Sequence, residues 1–379
     1  MLSRALALSA GLGEPALYRE VLIQRAWLDV AAGRTAAGLR AAHEASLMQV
    51  GDDPFAEVWL GTLHTDLLLM RCASGDEVAD AAAAGLAALR DTRIESFGLS
   101  TVLVCNVAEA RIGEGAVASA GRLLHPHTKD EPRQGTRALH LLRAWTEVLR
   151  GDLVAADRRL ASLVALTGAA GAHQQDLVRV RAFHDLWRGM PSLALAHVEE
   201  GIADQTATSW SPHTGSLLVL GARAAADVAQ ADPSRVPELT ATVSRWPRQW
   251  TQDPFAPDAP HLVTPAARST WRAELARLTS TAQVAHWTGA GQQWDLVGRP
   301  HDAAYCRWRA GELALQEDDG ALAARLLRRA HAQARGHVPL LRAIEQLTEA
   351  LPRRAPAPAP RRTHGSMVPA TTLVAREHR

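Results

Sequence analysis

From residue 17 onward, apolar residues fall in stretches of helical length, each closed by a glycine or a short polar turn. VLIQRAWLDVAAG ends at Gly33, TAAGLRAAHEASLMQV follows, and GDDP at 51–54 supplies an acidic cap and a proline for the next helix start. FAEVWLGTLHTDLLLMRCASG then closes at Gly75, ahead of the alanine-rich DEVADAAAAGLAALRDT. The recurring phrase is a helix, a glycine and a second, alanine-rich helix.

The phrase has a period. Gly75, Gly113, Gly151 and Gly189 stand 38 residues apart, and Gly33 precedes them by 42. Trp27 and Trp145 lie six residues before their glycines, while Ala82, Ala120 and Ala196 lie seven after. Such a period falls between the tetratricopeptide (TPR) length and the HEAT and armadillo lengths. Each glycine is expected to end the first helix of a pair in a left-handed conformation, and each alanine to let the second helix approach closely. The expected fold is all-α: an α-solenoid of TPR-like helix-turn-helix pairs with about 38-residue spacing, each repeat burying a face against its neighbour.

The array runs over residues 1–245, with 1–16 as its opening segment. Five prolines between 247 and 265 rule out an uninterrupted helix, so 246–268 is read as a Pro-rich connecting loop. Residues 269–352 resume helix pairs, punctuated by Gly298 and Gly320. The final segment, 353–379, opens with the alternating APAPAPRR and has no helical period, which predicts a disordered Pro/Arg-rich tail.

Composition agrees with helices: 47% of residues are hydrophobic but only 4% aromatic, and eleven of the aromatic residues are Trp. Lys129 is the only lysine, so any lysine chemistry must pass through it. The net charge is +1, and the tail alone carries +5, leaving residues 1–352 without the basic bias of a nucleic-acid surface. Three widely separated cysteines, Cys72, Cys105 and Cys306, argue for a reducing compartment. There is no apolar run long enough for a signal peptide core or a membrane span. The expected setting is cytoplasmic, with no membrane association.

Motifs for chemistry are sparse. Lys129 in HPHTKDEP lacks the glycine-rich approach of a phosphate loop. TVLVCNV (101–107) resembles a buried strand and GEGAVA (113–118) a nucleotide fingerprint, but AEARI separates them, whereas such glycines must directly follow the strand. His125 and His127, with Asp130, Glu131 and His140 nearby, have metal-ligand chemistry, but Pro126 and the turn composition fit a solvated loop. His43–Glu44 lacks the second histidine of a zinc helix, and Glu199 and Glu200 point to different faces. Cys105 and Cys306 sit in apolar settings suited to a core. The tryptophans suit packing between repeats, with a ligand groove as the alternative. No catalytic, cofactor-binding or metal-binding set emerges, and a non-catalytic protein is expected.

Residues 271–354 carry a more specific signal. AELAR (273–277), the paired Trp287 and Trp294, GRPHDAAYCRWRAGELAL (298–315), ALAARLLRRAHAQA (321–334) and VPLLRAIEQL (338–347) closely resemble one known segment. It is the last part of the helical-repeat region in the large ATP-binding LuxR-type, MalT-like transcription regulators of high-GC bacteria. The resemblance implies an array that senses an effector and serves as an oligomerisation surface, between an upstream ATPase and a downstream helix-turn-helix. Neither flanking domain is legible in this chain, so a truncated or fragmentary regulator is expected. Sequence-specific DNA binding is not expected, because no recognition helix follows. The partner is then a protein or small effector on the repeat surface, with self-association compatible with the family. Two other readings stay open: a stand-alone TPR-like scaffold for a peptide or protein, and an α-toroid enzyme.

Overall fold

Alanine and leucine at high density, with proline confined to first turns and connections among the described residues, produce a chain that is predominantly helical in its described part. The structure is a computed structural model and describes residues 2–31, 34–48, 54–91, 98–166, 174–203, 213–249, 255 and 262–351. Eighteen α-helices occur among them, and no strand. The first five are α1 (Leu2–Leu12), α2 (Pro15–Ala31), α3 (Thr35–Leu47), α4 (Pro54–Met70) and α5 (Gly75–Asp91). Next come α6 (Gly98–Gly113), α7 (Val117–Leu124), α8 (Arg137–Leu149), α9 (Leu153–Leu166), α10 (Gln174–Trp187) and α11 (Pro191–Ala203). Then follow α12 (Thr214–Ala231), α13 (Val236–Arg245), α14 (Thr264–Leu278), α15 (Val284–Leu296), α16 (Pro300–Gln316), α17 (Gly320–Gln333) and α18 (Val338–Glu349). None is long and apolar enough to cross a membrane.

The helix ends are built by one device. Cys72, Gly115, Gly151, Gly189, Ser280, Gly298 and Asp318 all have positive φ, between 56° and 84°. The residue after each donates its backbone N–H to a carbonyl five positions earlier: Ala73 to Leu68, Ala116 to Arg111, Asp152 to Glu147, Met190 to Asp185, Thr281 to Ala276, Arg299 to Trp294 and Asp319 to Ala314. This is the Schellman closure, which satisfies carbonyls the helix leaves open.

The structure corrects part of the glycine reading. Gly151 and Gly189 are left-handed stops as expected, but Gly113 is still helical and the stop falls at Gly115. Gly75 does not end α4; it begins α5, and its N–H donates to the Glu114 carboxylate at 2.9 Å. The stop of α4 is Cys72, and Gly320 likewise begins α17 after the stop at Asp318. Spacing could not separate these roles, because a glycine is tolerated equally at a helix stop and at a point of close approach. The expected stop at Gly33, the cap at 51–53, residues 250–254 and 256–261 of the expected 246–268 loop and the whole 353–379 tail lie outside the described residues. Trp246–Gln249 form a short 3-10 turn, and α14 already begins at Thr264.

Packing follows chain order. Helices α4, α6, α8, α10, α12 and α14 form a continuous row, each against the next, with α5, α7, α9, α11 and α13 packed between chain neighbours. The row does not stay open. Helix α18 packs on α8, a Cβ on Gly151 would meet Val338, and one on Gly115 would meet Pro300 and His301. Arg299 lies directly across Gly113. The Leu262 N–H also donates to the Met70 carbonyl at 2.9 Å. The chain segment after residue 262 therefore returns to the turns that follow α4, α6 and α8. One apolar core runs from α10 to α18, with Trp246 and Trp287 deep inside it, while α1–α9 are held by smaller clusters.

Candidate functional site

Where the returning segment meets the row, it encloses a cavity of two lobes, about 120 Å³ and about 110 Å³. Both lobes share Trp145 from α8, Phe183 from α10, Trp294 from α15, and Arg299 and Asp302 from the start of α16. The walls form because the last turns of α8 and α10 place aromatic rings on the face that the return segment covers. Trp145 and Phe183 have ring centroids 6.1 Å apart, and Phe183 and Trp187 6.3 Å edge to face. Trp294 donates its indole N–H to Thr270 at 2.8 Å, so it offers the cavity an apolar surface.

Three guanidinium groups face this space. Arg179 lies over the Trp145 ring at 4.2 Å, and Arg223 lies 4.4 Å from Trp187 and 4.7 Å from Tyr305. Stacking on aromatic faces gives the guanidinium plane an attractive surface but satisfies none of its N–H donors. The Nε of each is buried and has no hydrogen-bond partner among the described residues. Their ion pairs are long, at 3.6 Å to Asp176 for Arg179 and 3.9 Å to Asp227 for Arg223. Arg299 is bonded to the thiol of Cys72.

The carboxyls and imidazoles around the cavity respond to enclosure. Burial pushes Asp302 above the usual carboxylate range, although Arg299, His301 and Arg179 pull the other way. Asp302 nevertheless keeps an exposed side and lines both lobes. Burial lowers His213, with Arg179 adding to the effect, and it also lowers His301 and, further, His337. Glu109 lies 3.4 Å from His213. Behind it, Asp66 is pushed up to about 6 by burial, with the neighbouring Glu109 charge adding to the shift and a 2.6 Å bond from Asn106 opposing it. Burial thus works against charge on the imidazoles, and the arginines are the principal cations of the lining. Chemically, the cavity can hold a small anion.

A second, larger cavity of about 400 Å³ between α12, α14 and α16 also carries arginines, Arg277 and Arg309. These are fully paired. Arg277 bonds Glu274 at 2.8 Å and Asp227 at 2.7 Å, while Arg309 bonds Glu312 at 2.9 Å, Asp227 at 3.1 Å and the Tyr305 hydroxyl at 3.2 Å. Tyr305 in turn donates to Glu274. Burial works against the Asp227 carboxylate, but Arg277, Arg309 and Arg223 outweigh it and hold its pKa below the ordinary value.

The residues singled out from sequence are mostly not brought together. His125 and His127 lie on an exposed short turn, whereas His140 is buried with Nδ1 2.8 Å from Arg159. Among the described residues no group of histidines, cysteines and carboxylates has metal-binding geometry. TVLVCNV lies inside α6. The Cys105 and Cys306 thiols are buried and pushed up by burial, Cys306 beside Thr270 at 3.7 Å. Lys129, Glu199 and Glu200 are exposed. The tryptophans divide: Trp246 and Trp287 are core, while Trp145, Trp187 and Trp294 line the cavity. Sequence reasoning missed Arg179, Arg223 and Arg299, because in a chain with forty arginines no local signal marks the three that reach the cavity. No protein-family model matches the chain, and no curated protein matches it.

Proposed function

We propose that this chain is a non-catalytic, TPR-like α-solenoid sensor module of a LuxR-type transcriptional regulator, and that it takes a small effector in the enclosed cavity. The observation that carries this reading is the return of the α15–α18 segment onto the turns after α6 and α8, with aromatic rings and the unbonded Nε donors of Arg179 and Arg223 beside the cavity it forms. The segment that closes the cavity is also the one that resembles the regulators, so occupancy would be felt where the family passes its state onward.

The test is a transcript profile of a strain in which Arg223→Met and Arg299→Met replace the native codons, with protein abundance checked. A sensor predicts changed levels of a restricted set of transcripts at equal abundance. An unchanged profile overturns the reading. The purified chain is also expected to give no sequence-selective shift of DNA, and a salt-resistant, sequence-selective shift would overturn that expectation.

A second reading, an enzyme on an α-helical toroid, draws on one observation: Ser216 lines the same lobe as His213 and Glu109. Nucleophilic catalysis needs a serine bonded to its base. Covalent labelling of Ser216 by a fluorophosphonate, abolished by His213→Ala, would establish that reading and overturn the non-catalytic one.

A further inference from the structure

We propose that the ligand of the central cavity is a monoanionic, single-ring aromatic carboxylate. This inference rests on the effector-site reading above and adds the chemical class.

Charge comes first. The groups lining the two lobes include three guanidiniums, Arg179, Arg223 and Arg299, and two carboxyls, Glu109 and Asp302. Behind them, Asp176 stands 3.6 Å from Arg179, and Asp227 stands 3.9 Å from Arg223 but closer to Arg277 and Arg309. Among the groups that line the cavity itself, the guanidiniums outnumber the carboxyls by one, an excess of one positive charge. A singly charged anion neutralises it, whereas a phosphate dianion overshoots and meets Glu109 and Asp302 without compensation.

Hydrogen bonding points the same way. The side chains of Arg179 and Arg223 are each only 7% exposed, and each has an unpartnered Nε. Leaving guanidinium donors unpaired in such a place costs free energy, and a carboxylate satisfies two parallel N–H donors at once. Arg223 is held between Trp187 and Tyr305 with its plane already fixed by stacking, so little freedom remains to be lost when the anion docks.

Size and wall chemistry then select the body of the ligand. A cavity of roughly 150 Å³ with an apolar lining accepts one benzene ring; neither lobe alone reaches that, but the two adjoin and share lining residues, at about 120 Å³ and about 110 Å³. The walls of the larger lobe are the rings of Trp145, Phe183 and Trp294, flanked by Val219 and Leu220. A flat ring can stack in such a slot. Its carboxylate would reach into the neighbouring lobe, where Arg223 stands and which Arg299 also lines.

The probe is 4-fluorobenzoate observed by fluorine NMR, with 4-fluorobenzamide as the neutral isostere and 4-fluorophenyl phosphate as the dianion. The expected result is saturable binding of the benzoate, with the benzamide and the phosphate each weaker by about tenfold or more. Arg223→Met and Arg299→Met are each expected to weaken the benzoate by about tenfold while leaving the helical melting curve intact. Phe183→Leu, which keeps every charge, is expected to weaken benzoate and benzamide alike. Equal binding of benzoate and benzamide, tighter binding of the phosphate, or no benzoate binding at all would each overturn the carboxylate assignment. The transcript profile of the Arg223→Met, Arg299→Met strain decides the sensor reading separately, since it requires no knowledge of the ligand.

Discussion

Two groups of buried arginines stand within one molecule and differ in a single respect. Around the larger cavity, Arg277 and Arg309 are tied to Asp227, Glu274, Glu312 and Tyr305 in a closed network. Around the central cavity, Arg179 and Arg223 rest on aromatic rings with donors unspent. The paired group fastens α12, α14 and α16 to one another; the unpaired group faces an enclosed space. The difference teaches that burial of a cation does not by itself identify a site. What sets the central-cavity group apart is a pair of buried cations with unbonded Nε donors beside a cavity, where a bound acceptor could satisfy them.

The sharpest way to break the comparison is to unpair the paired group. Glu274 is fully buried between Arg277 and Tyr305. Glu274→Ala should lower unfolding stability by about 3–5 kcal/mol, measured by urea denaturation, because it strands a buried guanidinium.

The next effect is set by pH. Asp66 is pushed from its ordinary value of 3.8 up to about 6. The folded state therefore holds the Asp66 proton more tightly than the unfolded chain does. This contribution is fully present below pH 3.8 and is lost as pH rises through about 6. It amounts to at most about 3 kcal/mol. Comparing urea midpoints of the native protein and Asp66→Asn from pH 4 to pH 7 should show the native protein losing stability relative to the variant across that window.

Closure itself can be probed at Gly115, where φ is 84° and an added Cβ would stand 3.1 Å from Pro300 Cγ. Gly115→Ala should cost about 1–3 kcal/mol, and hydrogen exchange should speed up at the start of α16. The smallest effect is expected in the unpaired group: Arg223→Met should change stability by less than about 1 kcal/mol, since the loss of stacking on Trp187 and Tyr305 is offset by removing a poorly compensated charge. A thermal melt of that variant sharpens the comparison directly against Glu274→Ala.

Much of the fold could be read from the chain because its signals are local. Helix length and the alanine-rich second helices follow from side chains three and four residues apart, and the stops at Gly151 and Gly189 need only a residue that accepts positive φ. The same logic failed at Cys72, Ser280 and Asp318, which adopt that conformation without being glycine. It also failed at Gly75 and Gly113, whose small size serves contact with distant residues, Glu114 with Arg111 and Arg299 respectively. The candidate site was not legible. Its residues come from α6, α8, α10, α12, α15 and α16, and each looks ordinary in its own helix.

The sequence by itself determined that this is an all-helical chain, where most of its helices lie, and that no metal or phosphate motif of recognised spacing is written into it. These depend on periodicity, capping and composition, which act within a few residues. Only the tertiary structure decided that the segment after residue 262 returns to the turns after α4, α6 and α8, and thereby which arginines are paired and which are not. The physical reason is that pairing depends on distance in space. Arg309 finds Asp227 across 82 residues of chain, and Arg223, four residues from that same Asp227, is left with its rings and an open cavity.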